Sequence, residues 1–484
     1  MADLSVGGLA TGIDTASLIT KLMAAERQPE TILQNKVSSA QTQISVFNQI
    51  KNALDSFESV VNGMNTSSGF ISRASTMTDS SVATATVDST AQPGSHTIQV
   101  TSLAQFQRQI SDTSYASSSS LNFNSGTITI GKTGSTDTPV SITISEGQNS
   151  LSGIVSAING SGANVSATII NDGSGYRLIV TGKDTNNYTM DASGLTTAPL
   201  APNGDVYEAP TFANGTGYLE GQPSSFTVDG IAMTRTSNSV SDVIPGVTLN
   251  LLKDGGSSTT LTVTSDIAGV TAKINSFVNS YNTAMTLLSK QSSYDSTTKT
   301  AGTLAGDSTV RDIKRQLQSV ISSAVSGVNG NLNVLSSIGI STNYQDGTLK
   351  VDSTKLATAL NTNFDAVADL FTHNNGNTGL AANQYGIAQQ LSTKLDQITR
   401  IYEGDTSSSN NGKIASRIKM LNDIISDTNK RIADMEDQLT RKQDQLKKQF
   451  ATMESLVSSI TSSGNQLLAS LNSLSTSNSS SSSK

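Results

Sequence analysis

Residues 414–474 read IASRIKMLNDIISDTNKRIADMEDQLTRKQDQLKKQFATMESLVSSITSSGNQLLASLNSL. Ile418, Ile425, Ile432, Leu439, Leu446, Met453, Ile460, Leu467 and Leu474 follow one another at steps of seven, an unbroken apolar row. A second row, Ile414, Leu421, Met435, Phe450, Val457 and Leu471, runs beside it and changes side around Lys442. Spacings of three and four sustained without a proline predict one long helix with a coiled-coil seam. At 1.5 Å per residue it is about 90 Å long. Asp427 with Arg431, Asp437 with Arg441 and Asp444 with Lys448 place acid before base four residues apart on the outer faces. Each such pair adds a few tenths of a kcal/mol. Alone, this helix would leave its seam in water.

A partner lies at the other end of the chain. Leu33, Val37, Ala40, Ile44, Phe47, Ile50, Leu54, Phe57, Val61 and Met64 again step by threes and fours. Two heptad-like helices at opposite ends predict that the termini pair and that the middle is inserted between them. Such seams also invite assembly with further copies. The competing reading, a helical hairpin inside an ordinary globular domain, is disfavoured because seams this long are uncommon there.

The middle is of another kind. From Val82 to Asp266 the sequence alternates and is β-branched, as in 97-TIQV-100, 127-TITI-130, 140-VSITI-144 and 177-RLIV-180. Gly, Asn and Asp separate the runs, which predicts antiparallel strands. Leu151, Ile154, Val155 and Ile158 share a face and mark one short helix. Residues 185–222, with Pro199, Pro202 and Pro210, read as loop or hinge. Helical stripes return after Asp266, a predicted N-cap. They include Ile274, Phe277 and Tyr281, then Val310, Ile313 and Leu317. A hairpin turning at Asp346–Gly347 follows, with Ser353 as the next cap. Residues 404–412 read as a linker, and Ser475–Lys484 as a disordered tail.

Composition narrows the function. The 484 residues are 35% hydrophobic and 4% aromatic, which predicts small cores and elongated domains. The formal net charge of −7, taken as spread along the chain, argues against nucleic acid as a partner. There is no cysteine, so disulfides and thiolate metal sites are excluded. No apolar run is long enough to insert in a membrane, and the first residues lack a basic, then apolar, cleaved leader. Gly126–Thr133 fits the phosphate-loop pattern letter for letter, but its variable residues alternate Thr and Ile and a strand follows where a helix is needed. His96 and His373 read as solitary, solvated residues. No G-x-S-x-G elbow occurs. No catalytic residue, cofactor or metal is expected.

Three blocks in order carry a family resemblance. GLATGID at 8–14 with LITKLMAAERQPE at 18–30 is one; FTVDGIAMTRTSNSVSDVIPGVTLNLL at 226–252 is the second; LSSIGISTNYQDGTLKVDSTKL at 335–356 is the third. They resemble the hook-associated protein 2 (FliD) family, the flagellar filament cap, and the strand–helix–strand around SLSGIVSAING at 150–160 resembles a module of its outer domains. The resemblance implies an α+β multidomain fold: terminal helices form a coiled-coil or helical-bundle stalk, with antiparallel β-rich outer domains inserted. The expected division is a terminal leg (1–45 and 406–484), a helical bundle (46–77 and 266–405), a β-rich domain (78–115 and 215–265) and an outermost β-rich domain (116–214). It further implies an extracellular cap at the flagellum tip, exported by the flagellar type III route. Its partners would be itself, as pentamer or hexamer, flagellin, hook–filament junction proteins and an export chaperone. The alternatives are a surface adhesin binding host mucin or glycans, with a role in cell adhesion, and a cytosolic coiled-coil scaffold.

Overall fold

The computed structural model describes residues 12–479 apart from 122, 196–207, 216, 297–298, 329–330 and 402–410. In chain order the first elements are α1 (Thr15–Glu26), α2 (Gln28–Asn62), the single turn α3 (Ser67–Phe70), β1 (Arg73–Met77), β2 (Ala83–Val87), β3 (Gly94–Ser102) and β4 (Arg108–Ile110). Then come β5 (Gly126–Lys132), β6 (Val140–Ile144), α4 (Leu151–Gly160), β7 (Val165–Asn171), β8 (Tyr176–Gly182) and β9 (Tyr188–Asp191). The β-rich part closes with β10 (Ser224–Val228), β11 (Ile231–Arg235), β12 (Ser239–Val240), β13 (Val247–Leu251) and β14 (Ser257–Ser265). The helical return comprises α5 (Ile267–Ser292), β15 (Tyr294–Asp295), β16 (Thr300–Ala301), α6 (Ser308–Ser322), β17 (Ile340–Thr342), β18 (Leu349–Val351), α7 (Ser353–Thr362), α8 (Phe364–Thr372), α9 (Ile387–Thr399) and α10 (Lys413–Ser479). They form two compact units, residues 67–270 and the two flanking segments together.

In the β unit, two sheets face each other. One has the order β1-β14-β3-β10-β11 and the other β12-β13-β2, with antiparallel pairing throughout. Alternation explains the layer between them. Ile98 and Val100 on β3, Phe226 and Val228 on β10, Leu249 and Leu251 on β13, and Leu261 and Val263 on β14 all point into one core. A second core lies between the sheets β4-β8-β7 and β6-β5-β9 and under α4, whose Leu151, Ile154 and Ile158 are buried in it. Its chain leaves after β3 and returns before β10, two strands that are themselves paired. The outgoing and returning segments bond to each other at Gln105–Gln222 and Arg108–Leu219. The outer lobe is therefore an insertion into a hairpin.

The helical unit is tied by an aromatic knot. Phe57 of α2 lies 5.6 Å from Phe277 and 5.7 Å from Tyr281, both of α5. Phe277 meets Phe371 of α8 edge-on at 5.8 Å. Phe57, Phe277, Tyr281 and Phe371 are wholly buried. Phe57, Phe277 and Tyr281 are stripe positions that periodicity picks out, and with Phe371 they converge from three helices.

Several local expectations need correction. β9 occupies part of the stretch read as loop, because Tyr188–Asp191 pairs with the exposed side of β5. The cap of α7 is Asp352, whose carboxylate accepts from the amides of Thr354 and Lys355, not Ser353. Leu356, Leu360, Phe364, Val367, Leu370 and Phe371, which by spacing read as the stripe of one helix, lie on two, α7 and α8, separated at Asn363 (φ −143°, ψ 51°). The chain around 475–479 is helical rather than disordered, being the end of α10, and 480–484 lie outside the described residues. Most of the 404–412 linker also lies outside them. Charge is not spread evenly: acidic residues outnumber basic ones about two to one in the β unit, and the two nearly balance elsewhere.

Candidate functional site: the terminal-helix seam

The seam is built from α1, α2 and α10. Asp14 caps α1, its carboxylate accepting from the Ser17 amide at 2.9 Å. Only Arg27 separates α1 from α2, and Pro29 sits in the first turn of α2, where its missing N–H costs nothing. Glu30 is buried and accepts from Arg27 at 2.8 Å and from Gln34 at 3.0 Å, which fixes the junction.

α10 runs antiparallel to this pair. Its first turn is held by ion pairs to α6 and its cap: Lys413 with Asp312, and Arg417 with Asp307 at 2.9 Å. Gly412 lies so close to Ile398 that a Cβ would meet that carbonyl oxygen at 2.7 Å, so only glycine admits the turn into the helix. Further along, Ile19 and Met23 of α1 are buried against Leu439, with Met435, Leu446 and Phe450 around them. Glu26 and Lys442 close that contact at 2.6 Å. Lys442 therefore interrupts the apolar row but pins α1, through a half-exposed pair worth about 0–1 kcal/mol.

The residues singled out by period fall into distinct groups. On α2, Phe47 and Leu54 are buried, and Leu33, Val37 and Ile44 are half-buried. On α10, Leu439 is buried; Ile418, Ile425, Ile432, Leu446 and Met453 are half-buried; Ile460 and Leu467 are exposed. The side chain of Leu474 lies outside the described residues. The positions that α10 buries at its start belong to the second row: Ile414, Leu421 and then Thr428. Periodicity finds the rows but not which of them the chain itself covers. Beyond Val457 every described side chain of the helix is exposed: Ile460, Leu467, Leu468 and Leu471, like Leu456 just before them, are each about 60% exposed. Asp427 pairs with Lys430 at 3.6 Å, three residues on.

Acid should loosen the root of α10. The Lys413 ammonium, with Arg315 adding to it, holds the Asp312 carboxyl below the usual carboxylate range. A lowered folded-state value means the stabilisation is complete above the ordinary carboxylate range. It is lost as pH falls through the folded value. Protection of the amides in the first turns of α10, each exchange rate taken relative to its intrinsic rate at the same pH, should fall as pH drops below about 4, and Asp312→Asn should remove that dependence.

The tempting chemistry dissolves. Gly126–Lys132 is β5, the middle strand of its sheet, flanked by β6 and β9. Gly126 is there because a Cβ would strike the carbonyl oxygen of Gly194 at 2.0 Å, not to cradle phosphate. The histidines are not solitary: His96 Nδ1 lies 2.7 Å from Asp229 and His373 Nδ1 lies 2.8 Å from Asp369. Among the described residues no group of three His, Asp or Glu side chains could hold a metal ion, and no helix is long and apolar enough to cross a membrane.

Comparison with known proteins gives three family matches. The model described as the flagellar hook-associated protein 2 N-terminus matches residues 11–107, and that for its C-terminus matches 221–462. Between them the flagellin hook IN motif matches 120–184. The B-type flagellar hook-associated protein 2 of Pseudomonas aeruginosa is 34% identical over 400 residues, 79% of this chain and 82% of the relative. Flagellar hook-associated protein 2 of Escherichia coli is 32% identical over 393 residues, 78% and 82% of the two chains. A crystal structure of three domains of the flagellar cap protein FliD from Escherichia coli aligns with a TM-score of 0.61 at 29% identity, over 78% of this chain and 99% of that one.

Proposed function

Since the chain belongs to the flagellar hook-associated protein 2 family, a family of structural cap proteins and not of enzymes, we propose that it assembles into the cap at the distal end of a bacterial flagellar filament. There it retains exported flagellin and promotes its insertion beneath the cap. The cap is a small ring of five or six copies, and the chain reaches the tip through the flagellar type III route. The four-part division into leg, helical bundle, inner and outer β domains serves this role, with the β domains forming the plate and the terminal helices the legs.

The observation that carries the reading is the uncovered row on α10. An apolar stripe over Leu456–Leu471 is stable in water only when something covers it, and identical helices around a ring provide such cover. Legs that follow a growing filament must also let go. Thr428, Lys442 and Gly464 interrupt the seam at intervals and keep each contact of modest strength.

The test is genetic. A strain lacking this chain should swim poorly and release unpolymerised flagellin into the medium, and the intact gene should restore both. Filaments of normal length without released flagellin would contradict the cap, and adhesion without a motility defect would move the role to the cell surface.

A further inference from the structure

We propose that Tyr344 is an anchor by which one copy of the chain docks into a cavity between α6 and α9 of the next copy. This deepens the preceding section's reading that the chain assembles with itself, and rests on it.

Tyr344 stands in the loop between β17 and β18 and is 91% exposed, more than any other large apolar or aromatic side chain described. The loop that carries it is nevertheless fixed. The Asn343 amide donates to the Thr348 carbonyl at 2.7 Å and the Gly347 amide to the Asn343 carbonyl at 2.9 Å. Asp346 accepts from the amide and the hydroxyl of Thr348 at 2.9 and 2.7 Å. From below, the Tyr281 hydroxyl donates to the Gly347 carbonyl at 3.1 Å. Asn282 holds both backbone groups of Leu349, at 2.8 and 2.6 Å. A rigid backbone presenting a bare aromatic ring has little ordering entropy left to lose on binding, and tyrosine is among the residues that dominate interface energy.

The cavity has a volume of about 430 Å³, room for a phenol ring, and is lined by Val320, Leu380, Tyr385, Thr393 and Lys394 among others. It cannot take its own chain's Tyr344. The loop rests on the Gln318 side of α6, where a Cβ on Gly347 would collide with the Gln318 amide at 2.2 Å. Ser319, Val320 and Ser323 line the cavity. At about 100° per residue they sit about 100°, 160° and 140° round the helix from Gln318. Knob and hole thus occupy opposite flanks of α6. A contact that joins unlike patches is head-to-tail and repeats from copy to copy, the geometry that closes rings. Charge agrees, since Asp346 stands two residues from the ring and Lys394 lines the hole.

The absence of cysteine makes the test clean. In the full-length chain carrying both Tyr344→Cys and Ala382→Cys, mild oxidation should give a ladder of covalent oligomers on a denaturing gel. Either single variant alone should stay monomeric there. Tyr344→Ala should weaken self-association roughly 30-fold, the effect of losing an interface hot spot. Thr393→Trp, which fills the hole from an exposed position, should do the same, while Tyr344→Phe should retain most of the binding. Rings that form without a ladder, and that Tyr344→Ala leaves intact, would overturn the proposal and leave the cap standing. Self-crosslinking of Tyr344→Cys alone would overturn it too, by showing a two-fold contact. A wild-type chain that never associates would overturn both.

Discussion

Phe277→Ala lowers the stability of the helical unit by about 3–5 kcal/mol, the usual cost of deleting a wholly buried ring. Phe277 is at the centre of the aromatic knot, touching Phe57 and Phe371, so the cavity opens where three helices meet and cannot collapse by moving one of them. A domain is typically stable by about 5–15 kcal/mol, so this is a third or more of the total. The cores around Ile98 and Phe226 and around Ile154 and Leu178 share no side chain with that knot. In calorimetry the helical transition should therefore move down by many degrees while the β transition stays in place. A single unchanged transition would contradict the separation into two units.

Replacing Ile460, Leu467, Leu468 and Leu471 together by serine has the opposite signature. These side chains are 58–67% exposed in the single chain, so the monomer should change by no more than about 0.5 kcal/mol per site. Assembly should be lost. Each apolar side chain of this size contributes about 1.5–3 kcal/mol when it is buried, and four are removed from every copy. The far end of α10 also depends on that cover to be a helix at all, since a stretch with no packed face is marginal in water. Normal assembly by the four-serine chain would show that α10 is covered elsewhere.

The parts of this molecule that a sequence reveals are those governed by period. The rows on α2 and α10 are visible because coiled packing demands them over many turns, and alternating Thr and Ile expose strands such as β5. Which row α10 buries is not visible. Ile414, Leu421 and Thr428 face its own chain while Ile418, Ile425 and Ile432 are half open, and that choice depends on where α6, α9 and α2 stand around it. β9 escaped notice because four residues are too few to show a period. The partners of His96 and His373 escaped for different reasons. Asp229 lies 133 residues away, whereas Asp369 lies a single helical turn before His373 and could have been paired from spacing alone. The candidate surface was legible in outline, through Ile460 and Leu467. Tyr344 was not, because nothing in an Asn-Tyr-Gln-Asp-Gly turn says that its ring is left in water.

The most direct measurement is the native mass of the full-length chain at rising concentration, beside the four-serine variant. The account predicts a closed assembly of about five or six copies, or a pair of such rings, for the unaltered chain and monomers for the variant. A monomer at every concentration for both would contradict it.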